Sequence, residues 1–148
     1  MTTIRPIADH DGERWRELFT AYGIFYKTSF SGEVLDGVWA WLLHPEHEVN
    51  AIVATDAADT VIGFAIYREH PETFTAGNAI YLDDLYVDPA ARGAGAATAM
   101  LEALAVVAGR SGAEKVRWIT AGDNVRAQRV YDRIAKKADW VSYELDAR

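Results

Sequence analysis

A short segment of small residues after a predicted strand constrains the fold of this chain more than any other feature. It runs from Arg92 to Thr98 and reads Arg-Gly-Ala-Gly-Ala-Ala-Thr. Gly93 and Gly95 allow backbone conformations that other residues avoid, and a predicted helix begins at Ala96. The start of a helix exposes unpaired N–H groups and the positive end of the helix dipole. The segment therefore predicts a site for a phosphate or pyrophosphate group.

Two known phosphate-binding patterns do not fit this segment. A P-loop needs a lysine before its final Ser or Thr, and no lysine stands here. A dinucleotide-binding fold needs a third glycine where Thr98 stands, and its loop follows the first strand of a parallel sheet. Both nucleotide interpretations are therefore disfavoured. A tight turn that merely uses glycine stays open as the structural alternative.

Hydrophobic periodicity on both sides of the segment predicts an α/β chain with a mixed sheet, in the order β-α-α-β-β-β-α-β-α-β. Antiparallel hairpins give way to a strand–helix–strand crossover that should be right-handed and parallel. The predicted strands are Thr3–Ile7, Val49–Thr55, Thr60–Tyr67, Asn78–Val87, Glu114–Thr120 and Trp140–Leu145. The predicted helices run from Asp9 or Asp11 to Phe25, from Ser31 to His44, from Ala96 to Gly109 and from Asn124 to Lys137.

Composition limits the classes of protein to which the chain can belong. It has 148 residues, no cysteine, and 15 Lys+Arg against 22 Asp+Glu, for a formal net charge of -7. Such a chain can bury a sizeable core, so we expect one domain over residues 1–148. The start of the chain and the lack of a long apolar run predict a cytoplasmic protein with no membrane partner. The acidic balance disfavours nucleic acid as a partner and agrees with a cationic small substrate.

Two motifs resemble those of a known family. Residues 92–97 fit the Arg/Gln-x-x-Gly-x-Gly/Ala signature of the GNAT superfamily of acyl-CoA N-acetyltransferases, and Leu85-x-Val87 is the strand end that this signature usually follows. Residues 124–131, read as Asn-x-x-Ala-x-x-x-Tyr, resemble the family's second acetyl-CoA motif. The predicted order of elements also matches that fold. The sequence of residues 81–87 has an acidic pair before an apolar strand end and is most similar to that of the spermidine/spermine (diamine) branch.

The resemblance implies that acetyl-CoA is a co-substrate. In this family the strand end splays from its neighbour and pairs with the pantetheine arm, a role that falls on Leu85, Tyr86 and Val87. The loop then holds the pyrophosphate through main-chain N–H groups, which assigns that role to Arg92, Gly93, Ala94, Gly95, Ala96, Ala97 and Thr98. Asn124 would hydrogen-bond the cofactor arm, or cap its own helix, or do both.

Acetyl transfer to an amine needs a base for the amine, a stabilised oxyanion and an acid for the leaving thiolate. An alkyl amine has a pKa of about 10, so a carboxylate must take its proton, directly or through water. Asp83 and Asp84 are the candidates, and ordinary ion pairing is the alternative for each. Adjacent strand residues point to opposite faces, so we expect one of them to face the cleft and the two not to act as a dyad. The family comparison favours Asp83.

Tyr131 resembles the family's general acid, which returns a proton to the coenzyme A thiolate. It lies seven residues after Asn124. Two helical turns separate the two residues, so both can line one cofactor channel. The alternative for Tyr131 is a core tyrosine. His44 and His47 straddle Pro45 and have no third ligand nearby, so no metal site is predicted.

The sequence therefore predicts an acetyl-CoA-dependent N-acetyltransferase that acts on a primary amine. With no cysteine for an acyl intermediate, we expect direct attack in a ternary complex. A small polyamine or diamine is the preferred acceptor and a homodimer the expected assembly. The alternatives are a peptide or protein amine, an aminoglycoside, or a non-catalytic acyl-CoA-binding module. After Tyr131 only about one strand fits, whereas the family often has two.

Overall fold

A five-stranded mixed sheet organises the computed structural model, which describes residues 1–148. The strands are β1 (Thr3–Pro6), β2 (Val49–Thr55), β3 (Val61–Glu72), β4 (Gly77–Val87) and β5 (Val116–Arg117). The α-helices are α1 (Gly12–Phe25), α2 (Gly32–Leu43), α3 (Ala96–Ser111) and α4 (Val125–Ile134). Short 3-10 helices lie at Asp9–Asp11 and Pro89–Ala91. None of the helices combines the length and the apolar character that crossing a membrane requires.

The strands are ordered β1-β2-β3-β4-β5. Helices α1 and α2 connect β1 to β2, two hairpins join β2, β3 and β4, and a crossover through α3 leads to β5. The first four strands are antiparallel, whereas β5 lies parallel to β4 after the α3 connection. The two parallel strands pair only at Ile80 with Val116 and at Tyr81 with Arg117. The predicted mixed α/β fold class is confirmed.

Aromatic residues of α1 form the centre of the core on one face of the sheet. Trp15, Leu18 and Phe19 recur at helical spacing and are almost fully buried. They pack with Phe64 and Ile66 of β3 in one cluster. Because successive strand residues point to opposite faces, Tyr67 lies on the other face, where it packs with Ile80 of β4 and Ala108 of α3.

The chain divides into two compact units, Met1–Trp118 and Ile119–Arg148. The first unit contains the sheet with α1, α2 and α3, and the second contains α4. Ser31 caps α2 by accepting a hydrogen bond from Val34 N, and Gly112 ends α3 in the left-handed conformation.

The predicted last strand, Trp140–Leu145, is wrong. Residues 135–148 form no helix or strand. The apolar side chains on which that prediction rested are 75–90% exposed: Trp140, Val141, Tyr143 and Leu145. A high strand propensity describes fit to a half-buried sheet surface, and none of these side chains is buried.

The largest differences in element bounds from the sequence prediction concern β5, α4 and the β3–β4 hairpin. β5 spans two residues rather than Glu114–Thr120, and α4 ends at Ile134 rather than Lys137. The β3–β4 hairpin is longer than predicted, because residues 68–72 continue the ladder up to Glu72 opposite Gly77. Pro71 lies near the end of that ladder, where the loss of one N–H donor disturbs little of it.

Candidate active site

A β-bulge in β4 places the two candidate carboxylates. Ile66 pairs with Asp84 and Tyr67 pairs with Leu82, so Asp83 has no partner in the ladder. An extra residue in one strand interrupts the alternation of faces. Asp83 contacts Arg68, which shares its face with Ile66, and Asp84 lies opposite Ile66. Both carboxylates therefore lie on the sheet face that α1 covers, and the expectation of opposite faces is wrong.

Asp84 is partly buried against α1. Its Oδ1 accepts a hydrogen bond of 2.9 Å from the hydroxyl of Tyr22. Burial raises the pKa of the Asp84 carboxyl above its usual value, and the hydrogen bond from Tyr22 acts in the opposite direction. The charge of Asp83 raises the same pKa and that of Arg68 lowers it. The site thus holds a carboxyl group that takes up a proton more readily than a solvated aspartate does.

Asp83 is exposed and engages Arg68 of β3 in a two-point ion pair. Arg68 Nε donates to Oδ2 at 2.8 Å, and Nη2 donates to Oδ1 at 2.9 Å. The guanidinium also lies over the ring of Tyr81, 5.4 Å from its centroid. This is the ion pairing that the sequence left open as the alternative for Asp83. Asp83, Asp84 and Arg68 form an acidic cluster. With two carboxylates and one guanidinium, the cluster carries excess negative charge.

The end of β4 has a free edge in the sheet. β5 pairs with β4 only as far as Tyr81, so Leu85, Tyr86 and Val87 have a strand partner on the β3 side alone. Tyr86 and Val87 are nearly buried, and their side chains pack into the protein. The backbone edge of this segment can therefore pair with an extended, amide-bearing ligand.

The glycine loop that follows β4 leads into α3 in left-handed turns. Gly93 has φ 93° and Gly95 has φ 82°. Apart from the glycine and its adjoining residues, no protein atom lies within 4 Å of the place that a Cβ would occupy at either position. Gly95 is the N-cap of α3, and no side chain caps the helix. The first hydrogen bond of α3 runs from Ala99 N to Gly95 O, so the amides of residues 96–98 lack partners within the helix. Open space, free amides and the helix dipole fit a pyrophosphate group.

Two arginines hold this loop in place. Arg14 of α1 donates from Nε to Val61 O at 3.0 Å and pairs with the Asp88 carboxylate through Nη2. Asp88 in turn accepts a hydrogen bond from Ala90 N and so caps the 3-10 helix that begins the loop. Arg92 donates from Nε to Val87 O at 3.2 Å, and its guanidinium lies over the Tyr86 ring.

The second compact unit carries the two remaining candidates. Asn124 caps α4, and its Oδ1 accepts a hydrogen bond of 3.3 Å from Ala127 N. The helix-capping role that the sequence left open is thus present. Tyr131 lies in α4 and its ring is partly buried.

Sequence reasoning missed Arg68 and Arg14 as parts of the site. It left Tyr22 open between a wall of the acceptor pocket and the core, and did not predict its contact with Asp84. Tyr22 occupies an inward position of α1, where an aromatic residue is more often core, and its contact with Asp84 spans 62 positions of the chain. Arg14 reaches Asp88 across 74 positions. The position of Arg68 could have been found from the sequence, because its strand forms a hairpin with β4 and so lies near the acidic pair.

Comparison with known proteins agrees with this geometry. The family model described as "Acetyltransferase (GNAT) family" matches residues 13–135. A D-amino-acid N-acetyltransferase of Saccharomyces cerevisiae is 32% identical over 142 residues, which cover 95% of this chain and 88% of the relative. These matches do not confirm the narrower resemblance to the diamine branch.

Solved structures share the fold over the whole chain. Ribosomal-protein-alanine N-acetyltransferase from Brucella melitensis biovar Abortus 2308 superposes with a TM-score of 0.85 at 25% identity and covers 99% of this chain and 100% of that one. An aminoglycoside N-acetyltransferase in complex with CoA has a TM-score of 0.84 at 17% identity, over 99% of this chain and 95% of that one. The second likeness concerns the fold alone. With the family model matching most of its length, the chain belongs to the GNAT family of acetyltransferases and is an acetyl-CoA-dependent N-acetyltransferase.

Proposed function

We propose that this enzyme acetylates the primary amine of a small molecule by direct attack on acetyl-CoA in a ternary complex. One observation carries the proposal. A single stretch of chain, residues 83–98, joins a partly buried carboxylate, a free strand edge and an uncapped helix start with left-handed glycines. These are the parts that an amine acceptor, a pantetheine arm and a pyrophosphate require. The homodimer and the cytoplasmic location stay predictions of the sequence.

Main-chain groups form most of the proposed acetyl-CoA site, which is the donor site of the reaction. In this proposal the free edge of Leu85, Tyr86 and Val87 pairs with the amides of the pantetheine arm. The amides of residues 93–98 hold the pyrophosphate, and Arg92 adds positive charge beside them. Acetyl-CoA supplies the thioester that the amine attacks. Asn124 keeps its capping bond and offers the rest of its amide group to the cofactor arm.

Asp84 is assigned the role of general base, and Tyr131 that of general acid. Asp84 removes the proton from the ammonium form of the acceptor, directly or through water, so that a neutral amine attacks the thioester carbon. Its raised pKa supports this role, because a base works best when its pKa lies near the working pH. Asp83, fixed by Arg68, contributes negative charge that attracts a cationic amine. The Tyr131 phenol gives its proton to the leaving thiolate, as the family resemblance implies.

Two acceptor classes follow from the charges of the cluster. The excess negative charge of Asp83 and Asp84 over Arg68 favours a diamine or polyamine, which carries only positive charge. An amino acid is the second candidate, because Arg68 can bind a carboxylate beside the amine and because the relative in yeast acetylates D-amino acids.

An acceptor panel tests the proposal. Release of the coenzyme A thiol is followed with acetyl-CoA and each of spermidine, putrescine, D- and L-amino acids, a lysine peptide and an aminoglycoside. We expect the highest kcat/KM with the diamine or polyamine. Higher values with amino acids would transfer the assignment to the second candidate. Measurable coenzyme A binding without turnover of any amine would identify a binding module and contradict the proposal.

Replacement of Gly95 by alanine should weaken acetyl-CoA binding. The left-handed conformation of Gly95 costs an L-residue roughly 1–2 kcal/mol. With alanine the loop relieves this strain by leaving the conformation that binds the pyrophosphate. We expect Kd to rise by about five- to thirtyfold. Calorimetric titration with acetyl-CoA measures the effect.

Gly37→Ala is the matched control, since Gly37 lies within α2 at a negative φ with open space around it. It should leave Kd unchanged and stabilise the helix by up to about 1 kcal/mol. Equal Kd values for the two variants would remove the loop from the donor site.

A further inference from the structure

We propose that Tyr22 is a positioning residue for the acetyl transfer: its phenol fixes the Asp84 carboxylate and favours the ionised form that accepts the amine proton. The inference rests on the proposed function, in which Asp84 is the base. It adds to the site a side chain from α1, whereas the motifs found in the sequence all lie from β4 onwards.

The hydrogen bond to Asp84 is directional. The Tyr22 hydroxyl donates to Oδ1 at 2.9 Å, so the lone pairs of that oxygen are engaged on the side of α1. A donated hydrogen bond stabilises a carboxylate more than a neutral carboxyl group. Proton uptake from the acceptor then falls to Oδ2, the second oxygen of the same group.

Ring contacts fix the direction of the Tyr22 hydroxyl. The ring lies edge-on to Phe64 and Tyr86, with centroid distances of 5.8 Å to each, and is stacked on Phe19 at 6.0 Å. Phe19 and Phe64 belong to the buried core. The phenol is therefore held by the core rather than by a mobile surface segment, and Phe at position 22 would keep these ring contacts.

The charged and titratable groups around Asp84 come from three elements. Tyr22 faces it from α1, Arg68 from β3, and Asp83 from β4 itself. Burial and the charge of Asp83 favour the protonated form, whereas Tyr22 and Arg68 favour the ionised form. Arg68 Nε and Nη2 both donate their hydrogen bonds to Asp83 rather than to Asp84. Tyr22 therefore supplies the direct hydrogen bond that opposes protonation.

The test is the pH profile of Tyr22→Phe. The base must be ionised to act, so kcat/KM for the amine falls as the pH drops through the pKa of Asp84. Loss of the phenol raises that pKa, and the acidic limb should move to higher pH by about one unit, with about a tenfold loss on that limb. At alkaline pH the rate should recover, and Kd for acetyl-CoA should not change. A purely structural role would lower the rate equally at every pH, and that outcome would overturn the inference.

Tyr81→Phe is the matched control. Tyr81 lies on β4 next to the same cluster, with its ring under the Arg68 guanidinium. The substitution removes one phenolic hydroxyl from this neighbourhood and keeps the ring. We expect the wild-type pH profile, and a shift equal to that of Tyr22→Phe would show that the effect is not specific to the Asp84 hydrogen bond.

Infrared spectroscopy of the ligand-free enzyme separates failure of this inference from failure of the proposed base. The band of a protonated carboxyl that Asp84→Asn removes should titrate at higher pH in Tyr22→Phe than in the wild type. If that band does not move, Tyr22 does not act on Asp84, whatever the activity shows. If the band moves but the acidic limb persists in Asp84→Asn, the role of Tyr22 in ionisation stands and Asp84 is not the base.

Discussion

Asp84→Asn should lower kcat for amine acetylation by about two to four orders of magnitude, the usual contribution of a positioned base. Asparagine keeps the size of the side chain and accepts the hydrogen bond from Tyr22, but it cannot take a proton from the acceptor. Steady-state thiol release at saturating acetyl-CoA and amine measures kcat. Calorimetry should find acetyl-CoA binding unchanged, because Asp84 is not among the groups assigned to the acetyl-CoA site.

The same substitution should stabilise the fold at neutral pH. The pKa of Asp84 is raised in the folded enzyme, so above the ordinary carboxyl pKa the folded state holds an ionised group in an unfavourable environment. This destabilisation is present at neutral pH and disappears as the pH falls below the unfolded pKa. Thermal unfolding at pH 7 and at low pH therefore distinguishes a lost base from a misfolded protein.

Asp83→Asn is the comparison for this prediction. The Asp83 carboxylate is held by two hydrogen bonds from Arg68, so its removal should cost less kcat than removal of Asp84. A greater loss in Asp83→Asn would move the role of base to Asp83, the residue that the family resemblance favours.

Tyr131→Phe is expected to reduce kcat by about two orders of magnitude or more while acetyl-CoA still binds. The change removes the hydroxyl that we assign to protonation of the thiolate and keeps the partly buried ring in α4. Because Asn124 caps this helix independently, α4 should stay folded. Pre-steady-state and steady-state thiol release, together with the Kd for acetyl-CoA, measure the two parts of the prediction.

Tyr143→Phe serves as the control in the same unit, since this side chain is 90% exposed. It should leave kcat and Kd at wild-type values. An unchanged kcat in Tyr131→Phe would remove Tyr131 as the acid.

Local patterns sufficed for most of the fold. The hairpins from β2 to β4 and the crossover through α3 follow from strand and helix periodicities that the sequence displays directly. The pattern at 140–145 was no weaker, with Trp140, Val141 and Tyr143 as good strand formers. It failed because a strand exists only when a neighbour supplies ladder bonds and a surface on which to pack, and this requirement is not local.

The candidate site also has one part that the sequence predicted and one part that it did not. The glycine loop was predictable, because glycine permits the left-handed conformations that Gly93 and Gly95 adopt and these residues are adjacent in the sequence to the start of α3. The placement of Asp83 and Asp84 on the same face of the sheet was not predictable, because regular alternation along a strand predicts opposite faces. The bulge arises in the register between β3 and β4, which a single strand does not specify.

The sequence by itself determined the family, the element order up to α4 and the loop that fits the pyrophosphate, since each depends on residues close together in the chain. Only the tertiary structure decided which carboxylate is buried, which one pairs with Arg68, and that Tyr22 reaches Asp84 from α1. The reason is physical: burial and charge pairing are set by groups distant along the chain that folding brings within hydrogen-bond distance. The acidity of a side chain is therefore a property of the folded site rather than of the residue.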